Sequence, residues 1–204
     1  MIVIGVSGGI ASGKSTVCRV FESLGGKIIC ADHLGHEALD APRVQAALVR
    51  AFGTEILGRD GRIVRQALGE IVFRDSMERA RLDAIIHPPL VAEIHRRIRE
   101  YQNTGYDSVI VVDAALIVEW GEVDMVDALV IVTAPRSQRI SWLTARNNLS
   151  KQDATQRVDA QLTDAERLQW ADYAIVNNGR VAELESEARN MWQRIVNREE
   201  INSG

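Results

Sequence analysis

One stretch constrains the chain more than any other. Gly8-Gly9-Ile10-Ala11-Ser12-Gly13-Lys14-Ser15 fits the spacing G-x-x-x-x-G-K-[ST] at every fixed position. Before it, Ile2, Val3, Ile4 and Val6 are mostly β-branched and predict a short buried strand. After it, Val17, Val20, Phe21 and Leu24 recur on one face of a helix. Strand, glycine loop and helix together make a phosphate cradle. Backbone N–H groups can approach a phosphate chain only where side chains do not intervene, and a helix N-terminus faces the anion with partial positive charge. Lys14 adds a full charge for β- and γ-phosphates, and Ser15 offers a hydroxyl to Mg²⁺. With only three lysines against twenty-one arginines in the chain, a lysine at this position is not background.

The loop predicts a parallel sheet. Lys27–Ala31 reads as a second strand after the helix stop at Gly25-Gly26, and it ends at Asp32. A strand–helix–strand unit of this size is a right-handed crossover, and open parallel sheets bind ligands outside the carboxyl ends of their strands. Asp32 is therefore expected on the edge that carries the loop, placed to accept a proton from an acceptor hydroxyl. Further strands are expected at 108–112, 128–132 and 172–176. The first of these runs into Asp113, as a strand does whose carboxylate reaches Mg²⁺ beside Ser15.

Residues 33–105 carry helical patterns and no convincing strand. Val44, Ala47, Leu48, Ala51 and Phe52 make one face, and Val64, Leu68, Ile71 and Val72 another. A helix through Leu82, Ile85 and Ile86 is expected to break at Pro88-Pro89, and a new one to begin at Leu90. Residues 59–99 hold nine arginines against six acids, an excess of +3 in a chain of net charge −4. Most of these are expected on solvated faces, with a few free to bind an anionic substrate. From Pro135 to Trp170 the pattern is helical and polar, with Arg136, Arg139, Arg146, Arg157 and Arg167 spread through it and a turn near Asn147-Asn148. That segment would serve as a lid closing on the transferring group. A last helix bears Val181, Leu184, Ala188, Met191, Trp192 and Ile195 as a core stripe.

The expected fold class is α/β: a three-layer, five-stranded parallel sheet with a phosphate loop, a helical substrate-binding insertion and a helical lid. Residues 1–32 and 106–204 would form the nucleotide-binding core, with the lid at about 136–170, and 33–105 the acceptor-binding insertion. The acidic balance implies no general attraction to nucleic acid, and no apolar run approaches the ~18 residues that span a membrane. Cys18 and Cys30 sit at apolar positions and are expected as free thiols, in keeping with a cytoplasmic setting. No segment reads as a signal peptide. The pattern suits a small-molecule kinase. A signalling GTPase would need an N-K-x-D segment, and Asn177-Asn178-Gly179-Arg180 is not one.

The chain resembles the dephospho-coenzyme A kinase family over nearly its whole length. The resemblance is carried by Ser7–Thr16, by Ala31-Asp32, by Gly61–Leu68, by Ile71-Val72-Phe73 and by Ile86-His87-Pro88. It continues through Leu116–Glu119, Arg146 with Leu149-Ser150, Arg157 with Gln161, Ala171-Asp172 and Asn177-Asn178-Gly179. It implies ATP-dependent phosphorylation of the ribose 3′-hydroxyl of dephospho-CoA, with ATP and Mg²⁺ required and the two small molecules as the partners of a monomer or small homo-oligomer. It implies Asp32 as general base, Lys14 and Arg146 as catalytic cations, and Arg65 and His87 on the acceptor side. The nucleotide would be held by Gly8, Gly9, Ala11, Ser12, Gly13, Lys14, Ser15 and Thr16, with Asn178 and Gly179 near the adenine. Ser15 and Asp113 would bind the metal.

Three positions depart from the family pattern. Ala11 stands where glycine is usual. Ala115-Leu116-Ile117 stands for Pro-Leu-Leu. Trp142 stands for the first arginine of Arg-Leu-x-x-Arg-Asp-Gly, with Arg139 one helical turn before it as a candidate substitute. The alternatives are a kinase for another small hydroxyl acceptor, or a nucleotide-binding regulatory protein with transfer impaired by the altered lid.

Overall fold

The computed structural model describes residues 1–147 and 149–202. Five strands form one sheet: β1 (Ile2–Ser7), β2 (Lys27–Cys30), β3 (Val109–Asp113), β4 (Ala128–Thr133) and β5 (Tyr173–Val176). Their order is β2-β3-β1-β4-β5, and every pair is parallel. The apolar runs are continuous rather than alternating because both faces of the sheet are buried. Val109, Val111, Val130 and Val132 face one core, while the residues between them, Ile110, Val112, Leu129 and Ile131, are equally buried. On the first face α1 (Lys14–Ser23) lies against α9 (Val181–Asn202). Phe21 and Trp192 meet there with ring centroids 5.4 Å apart in a tilted pair, a geometry that contributes about 0.5–1.5 kcal/mol beyond area burial.

The register aligns the carboxyl ends of the strands. Asp113 pairs with Val6 of β1 and with Cys30 of β2, and Thr133 pairs with Val176. The chain therefore leaves β1 into the phosphate loop between two neighbouring strands, the crevice in which such sheets bind ligands.

The chain divides into two compact units, Met1–Cys30 with the segment from Ile98 onward, and Ala31–Arg97. The second unit has its own core. In it Val44, Leu48 and Phe52 of α3 (Pro42–Phe52) join Leu39, Ile56, and Leu68 and Val72 of α4 (Arg65–Arg74). The preceding helix, α2, is Ala31–Ala38. No strand forms in this unit among the described residues; its one ladder contact is an isolated bridge between Leu57 and Ile63.

Two expectations fail here. The helix does not break at Pro88-Pro89: α5 runs unbroken from Ser76 to Asn103 with both prolines inside it. The prolines deprive the carbonyls of Ala84 and Ile85 of their N–H partners, at a cost of up to about 3 kcal/mol each, yet their φ suits a helix. Before that defect Leu82, Ile85 and Ile86 pack on the core of the second unit, and after it Leu90, Ile94 and Ile98 recur every fourth residue, all at least nine-tenths buried. Val64 is not on a helix face either; it precedes α4 and is exposed, as is Val181 at the start of α9.

The segment after β4 forms α6 (Arg136–Asn147), α7 (Lys151–Asp159) and α8 (Asp164–Leu168). Ser150 caps α7, and Thr163 with Glu166 forms a reciprocal capping box on α8. The expected turn at Asn147-Asn148 falls on Asn148, which lies outside the described residues.

Candidate active site

The site is built on the loop between β1 and α1. Gly13 stands at φ 101°, and a Cβ there would lie 2.6 Å from the Asn177 amide nitrogen. Gly8 is equally confined, since its Cβ would strike the Val132 carbonyl. Both positions require glycine on space as well as on dihedral. Ala11 holds φ 62°, the one positive φ outside glycine among the described residues. An L-residue there costs roughly 1–2 kcal/mol. Its methyl group and Ile10 recover part of this by packing on Ile140, Leu143, Ala154 and Val158 of α6 and α7.

The loop is braced from three sides. The Asn177 amide, at the carboxyl end of β5, donates to the Ser12 carbonyl at 2.9 Å, and its oxygen accepts from the Gly179 N–H at 2.9 Å. Gln161, after α7, accepts from the Ile10 N–H at 2.7 Å. Ser7 donates to the Ala115 carbonyl at 2.9 Å, tying the base of the loop to the segment after β3. Ser12 is buried, and its hydroxyl has no protein partner among the described residues.

The Lys14 ammonium is ion-paired with Asp113, and both side chains are nearly buried. Asp113 ends β3, and Lys14 opens α1 after the loop that leaves the neighbouring β1, so the parallel pairing of β1 and β3 brings the two together. Cys18, one turn further along α1, is buried beside them. Burial first, and then the Asp113 carboxylate, push its thiol far above the usual range. Cys18 and Cys30 are both free thiols. Ser15 and Asp113 supply one hydroxyl and one carboxylate, hard oxygen donors that fit Mg²⁺, which takes few protein ligands and completes its shell with water and phosphate oxygens. Among the described residues no cluster of three or more metal-ligating side chains occurs.

Two arginines approach the loop from the helices between β4 and β5. Arg139 of α6 is buried, and its guanidinium fills the space a side chain at Gly9 would need. Arg167 of α8 is fully buried; it donates to the Leu162 carbonyl at 2.6 Å and is ion-paired with Glu119. Arg146 in the last turn of α6 is exposed and makes no ion pair among the described residues. Trp142 packs elsewhere. A Cβ at Gly179 would lie 3.5 Å from its ring and 3.6 Å from the Gln138 amide oxygen. Trp142 therefore stands beside the turn expected near the adenine, and α6 puts Arg139, not Trp142, at the loop.

Of the expected site residues, the core unit brings together Gly8, Gly9, Ala11, Ser12, Gly13, Lys14, Ser15, Thr16 and Asp113, with Gly179 at the loop's flank and Asn178 exposed in the same turn. Arg146 also belongs to the core unit, and the other unit carries Asp32, Arg65 and His87. Asp32 is exposed in the first turn of α2, two residues beyond the end of β2. Arg65 opens α4 and is exposed. His87 is half-buried within α5 rather than at a helix end. The bracing by Asn177 and the burial of Arg167 carried no signal in the periodicity. Gln161 and Glu119 fell within matched motifs, but nothing in the sequence gave their partners.

The family model for dephospho-CoA kinase matches residues 2–183. A dephospho-CoA kinase of Geobacter sulfurreducens is 42% identical over 193 residues, covering 94% of this chain and 98% of its own. One of Dehalococcoides mccartyi is 37% identical over 186 residues, covering 91% and 93%. Among solved structures, dephospho-CoA kinase from Campylobacter jejuni superposes with a TM-score of 0.63 at 26% identity over 95% of this chain and 96% of its own. Shikimate kinase from Acinetobacter baumannii, at 16% identity and a TM-score of 0.56 over 97% and 94%, shares the fold. With a phosphate loop at the crevice of a parallel five-stranded sheet, and with relatives matched over nearly their full length, the chain belongs to the dephospho-CoA kinase family.

Proposed function

We propose that the chain transfers the γ-phosphoryl group of ATP to the ribose 3′-hydroxyl of dephospho-CoA, completing coenzyme A in the cytoplasm. The observation that carries this reading is the Lys14–Asp113 pair at the mouth of a braced phosphate loop, in a chain of this family. Lys14 is held in place before nucleotide arrives, so little of its side-chain freedom remains to be lost on binding. It would exchange Asp113 for the β- and γ-phosphates.

Ser15 and Asp113 would hold Mg²⁺, which supplies charge neutralisation on the phosphate oxygens. The backbone from Gly8 to Thr16 would cradle the triphosphate, and Asn178, Gly179 and the face of Trp142 would flank the adenine. Asp32 would accept the proton of the attacking 3′-hydroxyl. Arg65 and His87 would contact the acceptor, and Arg146 would add positive charge over the transferring group when the lid closes. Catalysis here rests on position and charge, with no covalent intermediate.

Asp32→Asn separates binding from transfer. The expected result is ATP affinity within about threefold of the parent with kcat reduced at least ~100-fold, the range of general-base contributions. Full turnover in that variant removes Asp32 as the base.

A further inference from the structure

Arg139 is a buried cation without adequate compensation. Its side chain is 6% exposed, and its nearest carboxylate oxygen, Asp164 Oδ1, is 3.7 Å from Nη2, beyond hydrogen-bonding distance. Nε and Nη1 have no hydrogen-bond partner among the described residues, and neither does Asp164 Oδ1. A guanidinium removed from water in this way is unfavourable unless charge-assisted hydrogen bonds offset the lost hydration. The free donors have a direction. Nη1 lies where a side chain at Gly9 would stand, and Nη1 of the fully buried Arg167 comes within 3.3 Å of the same point. Two buried guanidinium groups thus converge on one residue of the phosphate loop, although like charges repel and the fold has Glu119 bonded to only one of them.

We infer that Arg139 is a phosphate-binding residue, whose Nε and Nη1 donate to non-bridging oxygens of the triphosphate held by the loop. The anion supplies the partner that the protein lacks. Arg167 is the fixed neighbour: with its Nη atoms bonded to Leu162 and Glu119, it keeps the Gly9 side of the loop electropositive and leaves the direct contact to Arg139. Position 139 and the uncharged position 142 lie one turn apart on α6, so the helix sends its cation to the phosphates and its aromatic ring to the Gly179 turn. This inference rests on reading the loop as a triphosphate site and is independent of the acceptor.

The test is calorimetric binding of inorganic tripolyphosphate and of ATP to the parent, Arg139→Gln and Arg139→Lys, with thermal unfolding of each in the absence of ligand. Tripolyphosphate has no base and needs no acceptor, so the outcome does not depend on which hydroxyl is phosphorylated. Arg139→Gln is expected to weaken both ligands at least tenfold, and Arg139→Lys three- to tenfold, because the ammonium keeps the charge but loses the fork. Without ligand the glutamine variant is expected to melt at or above the parent temperature, since an uncompensated buried charge has been removed. Tripolyphosphate affinity within twofold of the parent in both variants overturns the inference, whatever their melting temperatures. A parent that binds tripolyphosphate and ATP but phosphorylates no dephospho-CoA defeats the proposed acceptor and leaves this assignment standing.

Discussion

The amide of Asn177 donates a 2.9 Å hydrogen bond to the carbonyl of Ser12, joining the end of β5 to the phosphate loop. The same side chain accepts from the Gly179 N–H and closes the turn that faces Trp142. One buried side chain therefore couples the phosphate end of the nucleotide site to the expected base end. Asn177→Ala leaves a buried carbonyl and an N–H without that partner, a loss of about 1–3 kcal/mol. The expected effect is a Tm lower by several degrees and a KM for ATP raised about tenfold, with a smaller change in KM for the acceptor. Steady-state kinetics with each substrate varied separately checks this.

The Lys14–Asp113 pair yields a coupling prediction. Asp113→Asn leaves a nearly buried ammonium without its counter-charge, and removing one partner of such a pair is far more costly than removing both. Asp113→Asn is expected to lower stability by about 1–3 kcal/mol, and Lys14→Met combined with Asp113→Asn to regain most of it. Both variants are expected to lose transfer. Urea unfolding of the two single variants and the double variant forms the cycle that reads the coupling.

Ala11 is strained at φ 62°, and its methyl group is packed. Ala11→Gly relieves the dihedral, but it frees the unfolded chain and loses the contact with α6 and α7, so the terms nearly cancel. A Tm within about 3 °C of the parent and kcat/KM within threefold are expected. Ala11→Val, with a branched Cβ at the same φ, is expected to destabilise by more than about 2 kcal/mol and to lose nucleotide binding. Thermal melts with and without ATP distinguish the two.

The fold was legible wherever the sequence repeats a local rule. Five apolar runs, a loop fitting G-x-x-x-x-G-K-[ST] and helical stripes placed the strands to within one or two residues. Pro88-Pro89 misled because proline reports a local cost, while the packing of Leu82, Ile85 and Ile86 before it and the burial of Leu90, Ile94 and Ile98 after it hold α5 across the break. The placement of Lys14, Ser15 and Asp113 was legible, because each is set by its position after a strand or at a helix start. The contacts of Asn177 with Ser12 and of Gln161 with Ile10 were not legible, because they join residues more than 100 positions apart, nor was the burial of Arg167, whose ion-pair partner Glu119 lies 48 positions away. Arg139 lay between these cases. Its spacing from Trp142 suggested a substitute cation, but only its burial and its unpartnered nitrogens point that cation at Gly9.

Incubating the purified chain with ATP, Mg²⁺ and dephospho-CoA and following the products by ³¹P NMR and mass spectrometry reads the phosphoryl transfer itself. Stoichiometric ADP and a coenzyme A species bearing a new 3′-phosphomonoester are expected, with no such product from Lys14→Met. ATP hydrolysis without that phosphomonoester, or faster phosphorylation of a different hydroxyl acceptor under the same conditions, contradicts the proposed function.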